Sequence, residues 1–509
     1  MMSEMTTTRI AAMRASQLNR FTPVLTGQLG DLLAGIDVLA VEGPTSVTIT
    51  SLCTDSRQAR RGCLFFAVPG IDQDGAGFLT EAVARGAVAV VVEGGTPAPA
   101  GASVVRVVNC RLAKALMAAR FFGHPSRRLP VVGVTGTNGK TTTSHLLRSI
   151  AEYDGGPTVL IGTIAHEVGQ RSVRARNTTP DPIELESFLT EGLLERARLG
   201  IMEVSSHALV QERVAGIDFR AAVFTNLSPE HLDYHGTLEA YQAAKLLLFE
   251  NLDASAVAVL NADDPVADVI AAVTRARVLR YGLSCSAEIS ADIRRVDADG
   301  TAFILKTPYG DVDVNTRLLG RHNLMNCMAA GAAALAMGYP LDSVRGGFQL
   351  LKCVPGRLES IHCGQDFRVL VDYAHTHDAL QKVLENLRPL TRGRLITVFG
   401  CGGDRDRAKR PLMGRVAANL SDVAVLTSDN PRGEDPREII EEVLAGIPEG
   451  RPVIVEADRR RAIETALRMA QSGDLVTIAG KGHEVRQLVG GRSIEFDDRA
   501  VAREVLWSL

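Results

Sequence analysis

Residues 133 to 142 read Gly-Val-Thr-Gly-Thr-Asn-Gly-Lys-Thr-Thr. Chemistry on a nucleoside triphosphate needs backbone N–H groups aimed at phosphate oxygens. It also needs a cation near the β- and γ-phosphates and a hydroxyl for magnesium. A glycine-rich turn between a strand and a helix N-terminus supplies all of these. Gly136 and Gly139 free the backbone, Lys140 brings the charge and Thr141 the hydroxyl. The common pattern G-x-x-x-x-G-K-[ST] fails at one place, because Val134 stands where its first Gly belongs. The loop is a variant, and Gly136, Thr137, Asn138, Gly139, Lys140, Thr141 and Thr142 are its candidate ATP contacts. A chance Gly-Lys-Thr before a helix is the bland alternative, and the strand–loop–helix context speaks against it. A second turn, Gly400-Cys401-Gly402-Gly403, is not a dinucleotide site, since Arg405 replaces the third Gly. A carboxylate bound near Arg405 suits it better.

These groups need elements to hold them. Pro130 to Val134 reads as a buried strand and Thr141 to Tyr153 as the helix after the loop. Further strands are predicted at Thr158–Ile161, Ile201–Val204, Ala221–Thr225 and Ala256–Leu260, with helical segments between them. Continuous apolar strands alternating with helices predict a parallel sheet covered on both faces. Thr301 to Thr316 differs: two alternating runs flank Pro308-Tyr309-Gly310, a hairpin signal. Upstream, Phe65–Val68, Ala87–Val92 and Val104–Val108 read as strands and Ala113–Phe122 as a helix. Downstream of Pro355-Gly356 a second doubly wound unit is predicted. Its strands are Arg368–Val371, Leu395–Phe399, Val423–Leu426, Val453–Val455 and Leu475–Ile478. The fold class is α/β in three domains, with a central P-loop-type, mostly parallel sheet and a C-terminal Rossmann-like doubly wound sheet. A length of 509 residues agrees, at roughly 150 residues per domain. Expected boundaries are a flexible extension over 1–20, then domains over 21–125, 126–354 and 355–509.

The formal net charge of -3 builds no field for nucleic acid or an anionic membrane. No apolar run is long enough to span a bilayer. The eight cysteines are scattered without a C-x-x-C pair, which predicts reduced thiols in a cytoplasmic protein. A monomer is expected.

The variant loop is similar to that of the Mur ligases, and other motifs agree in order and spacing. Glu203-Val204-Ser205-Ser206-His207 follows one strand, and Asn226-Leu227-Ser228-Pro229-Glu230-His231-Leu232-Asp233-Tyr234-His235-Gly236 follows the next. Gly320-Arg321-His322-Asn323 and Asn326 open an Ala-rich helix. Gly356-Arg357-Leu358-Glu359 and Asp372-Tyr373-Ala374-His375 open the last domain. Three segments narrow the resemblance to the branch that extends UDP-N-acetylmuramoyl-L-alanyl-D-glutamate by its third peptide residue. They are Asn177-Thr178-Thr179-Pro180, Ser205 through Gln211 to Arg213, and Asp429-Asn430-Pro431-Arg432.

The resemblance implies the reaction. ATP phosphorylates the substrate carboxylate, the incoming amine attacks the acyl phosphate, and amide, ADP and phosphate result. It implies that the first domain binds the UDP end, the second ATP and the third the amino acid. Lys140, Glu203, His231 and Lys245 become candidate catalytic residues. Magnesium is implied at Thr141 and Glu203, with a second ion at His231 and with Lys245 carbamylated as a ligand. Asn323, Arg357 and Asp372 match nucleotide contacts, Asp372 placed for ribose hydroxyls. Alone, these would read as a helix cap, a surface ion pair and a turn residue. Substrate contacts by resemblance are Thr54, Ser56, the Ile71-Asp72-Gln73 turn, Asn177, Thr178, Thr179, Ser205, Gln211 and Arg213. One well-known version of the turn begins with His rather than Ile71.

Diaminopimelate differs from lysine by a far carboxylate, which an Arg binds bidentately. Arg432 fits that role, and Pro431 stiffens its loop. Asp429, Asn430, Gly480, Glu484 and Arg405 complete the meso-diaminopimelate pattern, with Glu484 for the far ammonium. The Asp429–Arg432 segment argues against a folylpolyglutamate synthase or the next peptidoglycan ligase, and the pattern matches diaminopimelate rather than lysine. A non-ligase P-loop ATPase has no use for Glu203, His231 and Lys245 together. One departure is plain: relatives usually read Asp-Tyr-Ala-His-Thr-Pro, and His377 stands in place of that Pro. The expected effect is a slightly looser or unchanged segment beside Asp372.

Overall fold

The computed structural model describes residues 25–70, 74–284, 286–297 and 299–509. The extension expected at 1–20 and the turn Ile71-Asp72-Gln73 lie outside the described residues.

The first sheet holds β1 (Val38–Glu42), β2 (Ser51–Cys53), β3 (Cys63–Phe66), β4 (Ala87–Glu93) and β5 (Ser103–Val107) in the order β1-β5-β4-β3-β2. Only the β1–β5 pair is antiparallel. The thiols of Cys53 and Cys63, ten residues apart, face each other at 2.7 Å across β2 and β3. Helix α1 (Cys110–Phe121) follows β5 and sends Lys114 to Asp181 at 2.5 Å.

The second sheet begins with β6 (Val131–Thr135), whose five residues are all buried. A strand covered on both faces needs such an unbroken apolar run. It continues with α2 (Lys140–Tyr153), β7 (Thr158–Ile161), β8 (Ala165–Val168) and β9 (Arg171–Arg174). Next come α3 (Pro182–Leu194), β10 (Leu199–Glu203), β11 (Phe219–Phe224), α4 (Leu238–Glu250), β12 (Val257–Asn261) and β13 (Arg277–Tyr281). The order is β9-β8-β7-β10-β6-β11-β12-β13, with only the β7-β8-β9 edge antiparallel. Glu203 is in register with Val134, and Phe224 with Thr135. Three strands therefore release their following loops at one edge, where ligands of open α/β sheets bind.

The expected hairpin at 301–316 is present as β15 (Gly300–Lys306) and β16 (Val312–Thr316), and an unexpected strand, β14 (Ser290–Asp297), extends it to a three-stranded antiparallel sheet. β14 exposes most of its residues, so no apolar run announced it. The Ala-rich helix α5 (Arg321–Ala336) follows Gly320 and packs on α2 and the second sheet. Helix α6 (Leu341–Leu350) lies on α2 so closely that Gly347 abuts the backbone of Ile150.

The last sheet uses β17 (Glu359–Ser360), β18 (Arg368–Asp372), β19 (Leu395–Phe399), β20 (Val423–Leu426), β21 (Val453–Val455) and β22 (Leu475–Ala479). The order is β17-β18-β22-β19-β20-β21, parallel except at β17. Helices α7 (His377–Leu387), α8 (Lys409–Leu420), α9 (Pro436–Leu444), α10 (Arg459–Met469) and α11 (Asp498–Trp507) cover it. An outlying hairpin, β23 (Arg486–Val489) and β24 (Arg492–Glu495), was not expected, because β24 is wholly exposed.

Candidate active site

The phosphate loop departs from the common pattern for a reason visible in β6. Val134 is still inside the strand, fully buried, and the turn starts only at Gly136. A side chain on Gly136 would collide with Thr225 Oγ1 at 1.9 Å, and Gly136 and Gly139 have φ of 143° and 88°. Only Gly tolerates that combination. Asn226 braces the turn, accepting from the Asn138 amide at 3.0 Å and donating to its carbonyl at 3.1 Å. Lys140 Nζ bonds the loop carbonyls of Gly136 and Thr137 at 2.7 and 2.8 Å. Burial lowers its pKa, against the pull of Glu230 and Glu203.

Thr141, the second residue of α2, meets the end of β10. Its Oγ1 donates to Glu203 Oε2 at 2.9 Å and accepts from Arg357 Nη2 at 3.2 Å. Thr163 adds two bonds to Glu203, from its amide at 3.0 Å and its hydroxyl at 2.8 Å. Lys245 is buried on α4, its Nζ 4.3 Å from the centre of the Tyr241 ring. Burial, reinforced by Lys140, holds its pKa well below the usual lysine range. His231 is half-exposed and in the left-handed region at φ 57°. Beside it, burial would raise the Glu230 pKa, but His231, Lys140, His375 and Lys245 together bring it below the ordinary range.

Lys140, Thr141, Thr163, Glu230, His231 and Lys245 border a cavity of about 440 Å³ that also takes in Asn323, Arg357 and Asp372. Asn323 is anchored to Leu319 O at 2.9 Å and to Asn326 at 3.1 Å. Both Asp372 oxygens accept backbone amides, from Leu358 at 2.7 Å and Ala374 at 2.8 Å. Burial raises its pKa against Arg357 and those amides. Thr376 caps α7, so the helix begins at His377 without the usual Pro. Its next residue, Asp378, reaches Asn138 at 3.2 Å and Ser228 at 3.0 Å.

Thr178 and Ser205 line the same cavity. Thr179 stands behind them, donating to Glu203 O at 2.8 Å and accepting from the Ser205 amide at 3.0 Å. Arg213 bonds Thr179 O and Gln211 Oε1, each at 2.7 Å. Asn177 is exposed. In the first sheet Thr54 is exposed, but Ser56 is buried and gives its hydroxyl to Glu81 at 2.6 Å.

The amino-acid candidates form a separate group at the ends of β20 and β22, away from the cavity lining. Asn430 Nδ2 donates to Glu484 Oε2 at 2.9 Å, and the buried Lys481 Nζ bonds both Asn430 Oδ1 and Glu484 Oε2 at 3.0 Å. Arg432 sits at φ 55° with Nη1 on Gly403 O at 2.7 Å. Its amide and carbonyl are strapped to Leu488 and Gly490 of the hairpin at 2.9 and 2.7 Å. Pro431 is buried and Arg405 exposed. Asp429 Oδ2 crowds Gly480, whose Cβ would meet it at 2.5 Å.

Sequence reasoning missed Thr163, Glu230, Asp378 and Lys481 as site residues. Glu230 lies inside a motif already quoted, and Lys481 directly follows the named Gly480, each beside more conspicuous neighbours. Thr163 and Asp378 carry no motif, and only the folded chain brings them to the loop.

Family models match three successive parts of the chain. They are the Mur ligase family catalytic domain at 48–122, the Mur ligase middle domain at 134–334 and the Mur ligase glutamate ligase domain at 356–482. The chain is 47% identical over 463 residues to the UDP-N-acetylmuramoyl-L-alanyl-D-glutamate–2,6-diaminopimelate ligase of Geobacillus kaustophilus, covering 89% of this chain and 94% of that one. It is 43% identical to the protein of the same name from Syntrophomonas wolfei, covering 94% and 99%. A solved structure of a ligase of that name aligns with a TM-score of 0.68 at 34% identity, over 95% of this chain and 99% of that one. MurF from Acinetobacter baumannii shares the fold at a TM-score of 0.66 and 20% identity, over 90% and 96%. With three family models matched in succession between residues 48 and 482 and relatives 43% and 47% identical over about nine-tenths of the chain, the chain belongs to the Mur ligase family.

Proposed function

We propose that this enzyme joins meso-diaminopimelate to UDP-N-acetylmuramoyl-L-alanyl-D-glutamate at the expense of ATP, a step in building peptidoglycan precursors. The observation that carries the reading is the meeting of Thr141, Glu203 and Arg357 within 3.2 Å at the mouth of the phosphate loop. The names of the relatives agree with it.

A carboxylate is a poor electrophile. One of its oxygens attacks the γ-phosphorus, ADP leaves, and the amine nitrogen then attacks the acyl carbon and expels phosphate. Both steps gather negative charge on phosphoryl oxygens, which fixed cations stabilise. Lys140 and Arg357 are the chain's own cations at that place. Magnesium fits the oxygen donors Thr141 and Glu203, and bound there it supplies further positive charge against the phosphates. His231 is assigned to a second ion. Lys245 is buried and held toward its neutral amine, the form whose Nζ adds to carbon dioxide with loss of a proton. The carbamate so formed is a carboxylate-like ligand facing the same cavity. Asn323 and Asp372 are assigned to the nucleoside, and Thr178, Ser205, Gln211 and Arg213 to the substrate's peptide arm. Thr54 and Ser56 are assigned to the uridine end, Ser56 through its backbone, since its hydroxyl is occupied by Glu81.

At the far side, Arg432 receives the distal carboxylate and Glu484 the distal ammonium, with Arg405 free for a second carboxylate. Both reaction partners are nucleotides or amino acids of the cytoplasm, where we place the enzyme. An amino-acid panel with purified protein, the dipeptide substrate and ATP tests the reading. Phosphate release with diaminopimelate and not with lysine is expected. Release with neither acceptor nor dipeptide present would refute a ligase.

A further inference from the structure

Arg459 opens α10 and Asp498 opens α11, and both side chains are fully buried, at 0% exposure. The guanidinium grips the carboxylate with two bonds, Nε to Oδ1 at 2.8 Å and Nη2 to Oδ2 at 2.7 Å. A buried ion pair is weak evidence of stability, because desolvation offsets the attraction. The remaining donors point to a different role. Nη2 also donates to Ala479 O at 2.9 Å, and Nη1 donates to Ser428 O at 3.4 Å.

Those two carbonyls are specific places in the chain. Ala479 ends β22 and is followed directly by Gly480 to Glu484. Ser428 comes two residues after β20 and is followed directly by Asp429 to Arg432. The two strands are not neighbours, because β19 lies between them. No ladder hydrogen bond therefore sets the spacing of their loops. The Arg459 guanidinium spans that gap, and Asp498 fixes its plane. On the other side the loops already touch, with Asp429 Oδ2 pressed against Gly480. Any shift of one strand end relative to the other would be felt at once in the distance from Arg432 to Glu484.

We infer that Arg459 and Asp498 are a positioning pair for the acceptor amino acid, holding the Asp429–Arg432 and Gly480–Glu484 loops at the separation the ligand spans. The inference rests on the proposed acceptor site. An amino acid gripped at two ends by groups on different strands loses both contacts when that separation drifts. The nucleotide cavity is lined by neither loop, so ATP is spared.

The test uses the full chain with Arg459→Met/Asp498→Leu and, separately, Arg459→Lys. The apolar pair removes both charges together, a change that is often neutral or stabilising. Arg459→Lys keeps a cation beside Asp498 but lacks the planar fork that serves both carbonyls. Melting temperature, KM for diaminopimelate and KM for ATP are measured for each. Folded variants are expected to raise KM for diaminopimelate at least tenfold and KM for ATP less than twofold. A folded variant with unchanged acceptor KM, or with both KM values raised equally, overturns the inference. Loss of folding in both variants also overturns it, by assigning the pair to stability. If the wild-type enzyme takes lysine instead, the proposed acceptor is wrong, and the same KM comparison is made with lysine.

Discussion

Asp378 accepts a hydrogen bond from the side chain of Asn138 at 3.2 Å, tying the first turn of α7 to the phosphate loop. The same oxygen takes Ser228 Oγ at 3.0 Å. A net hydrogen bond contributes about 1 kcal/mol, so Asp378→Ala should raise KM for ATP about fivefold. Steady-state kinetics at saturating acceptor check this. An unchanged KM would make the contact incidental.

Lys140→Ala should lower kcat by on the order of 10²–10³ or more, as loss of a fixed charge at the reacting phosphate does. Among the described residues its Nζ bonds only its own loop, so the melting temperature should hardly move. Retained phosphate release would take the loop out of the mechanism.

Lys245→Ala should be inactive and partly recovered by added small carboxylates. Carbon-13 NMR of wild-type protein in labelled bicarbonate should show a carbamate carbon that the variant lacks. Absence of that signal together with failed rescue counts against carbamylation.

Gly402→Ala places a methyl group 2.9 Å from Arg432 Nη1. Arg432 must then shift, and KM for diaminopimelate should rise about tenfold, or ~1.4 kcal/mol. Arg432→Lys should do the same by losing the bidentate fork. Equal effects on ATP and acceptor would remove Arg432 from its assigned place.

His166 on β8 is buried, with Nδ1 unpartnered, and packs on Phe188; desolvation pushes its pKa down to about 4. The unfolded chain binds that proton near 6.5. The stability contributed by the neutral ring is therefore complete above pH 6.5 and is lost as pH falls from 6.5 toward 4. Melting temperatures should decline over that window, and His166→Leu should flatten the decline. A slope identical to wild type would contradict this.

Parallel strands built on unbroken apolar runs were legible: β7, β19, β20 and β21 have the bounds read from sequence. Strands lacking such runs stayed hidden. β8 and β9 form a short hairpin that extends the second sheet, and β14 and β24 turn mainly polar side chains outward. The site divides in the same way. Glu203, Lys245 and Arg432 were readable because local motifs name them. The occupation of the Ser56 hydroxyl by Glu81, 25 residues on, was not, and neither was the reach of Asp378 across 240 residues to Asn138. Such pairings are set by how sheets stack, which no local pattern encodes.

The phosphate loop hangs from the second sheet and the proposed acceptor loops from the last, and side chains such as Arg357 and Asp378 cross between them. On the proposed assignment, acceptor selectivity and phosphate chemistry therefore fall largely on different loops. A lineage can retune β20, β22 and their hairpin toward a new amine while the machinery that makes the acyl phosphate is inherited intact. Chimeras exchanged near Pro355-Gly356 should accordingly inherit acceptor choice from the C-terminal parent, provided its Arg357 and Asp378 equivalents still meet the loop.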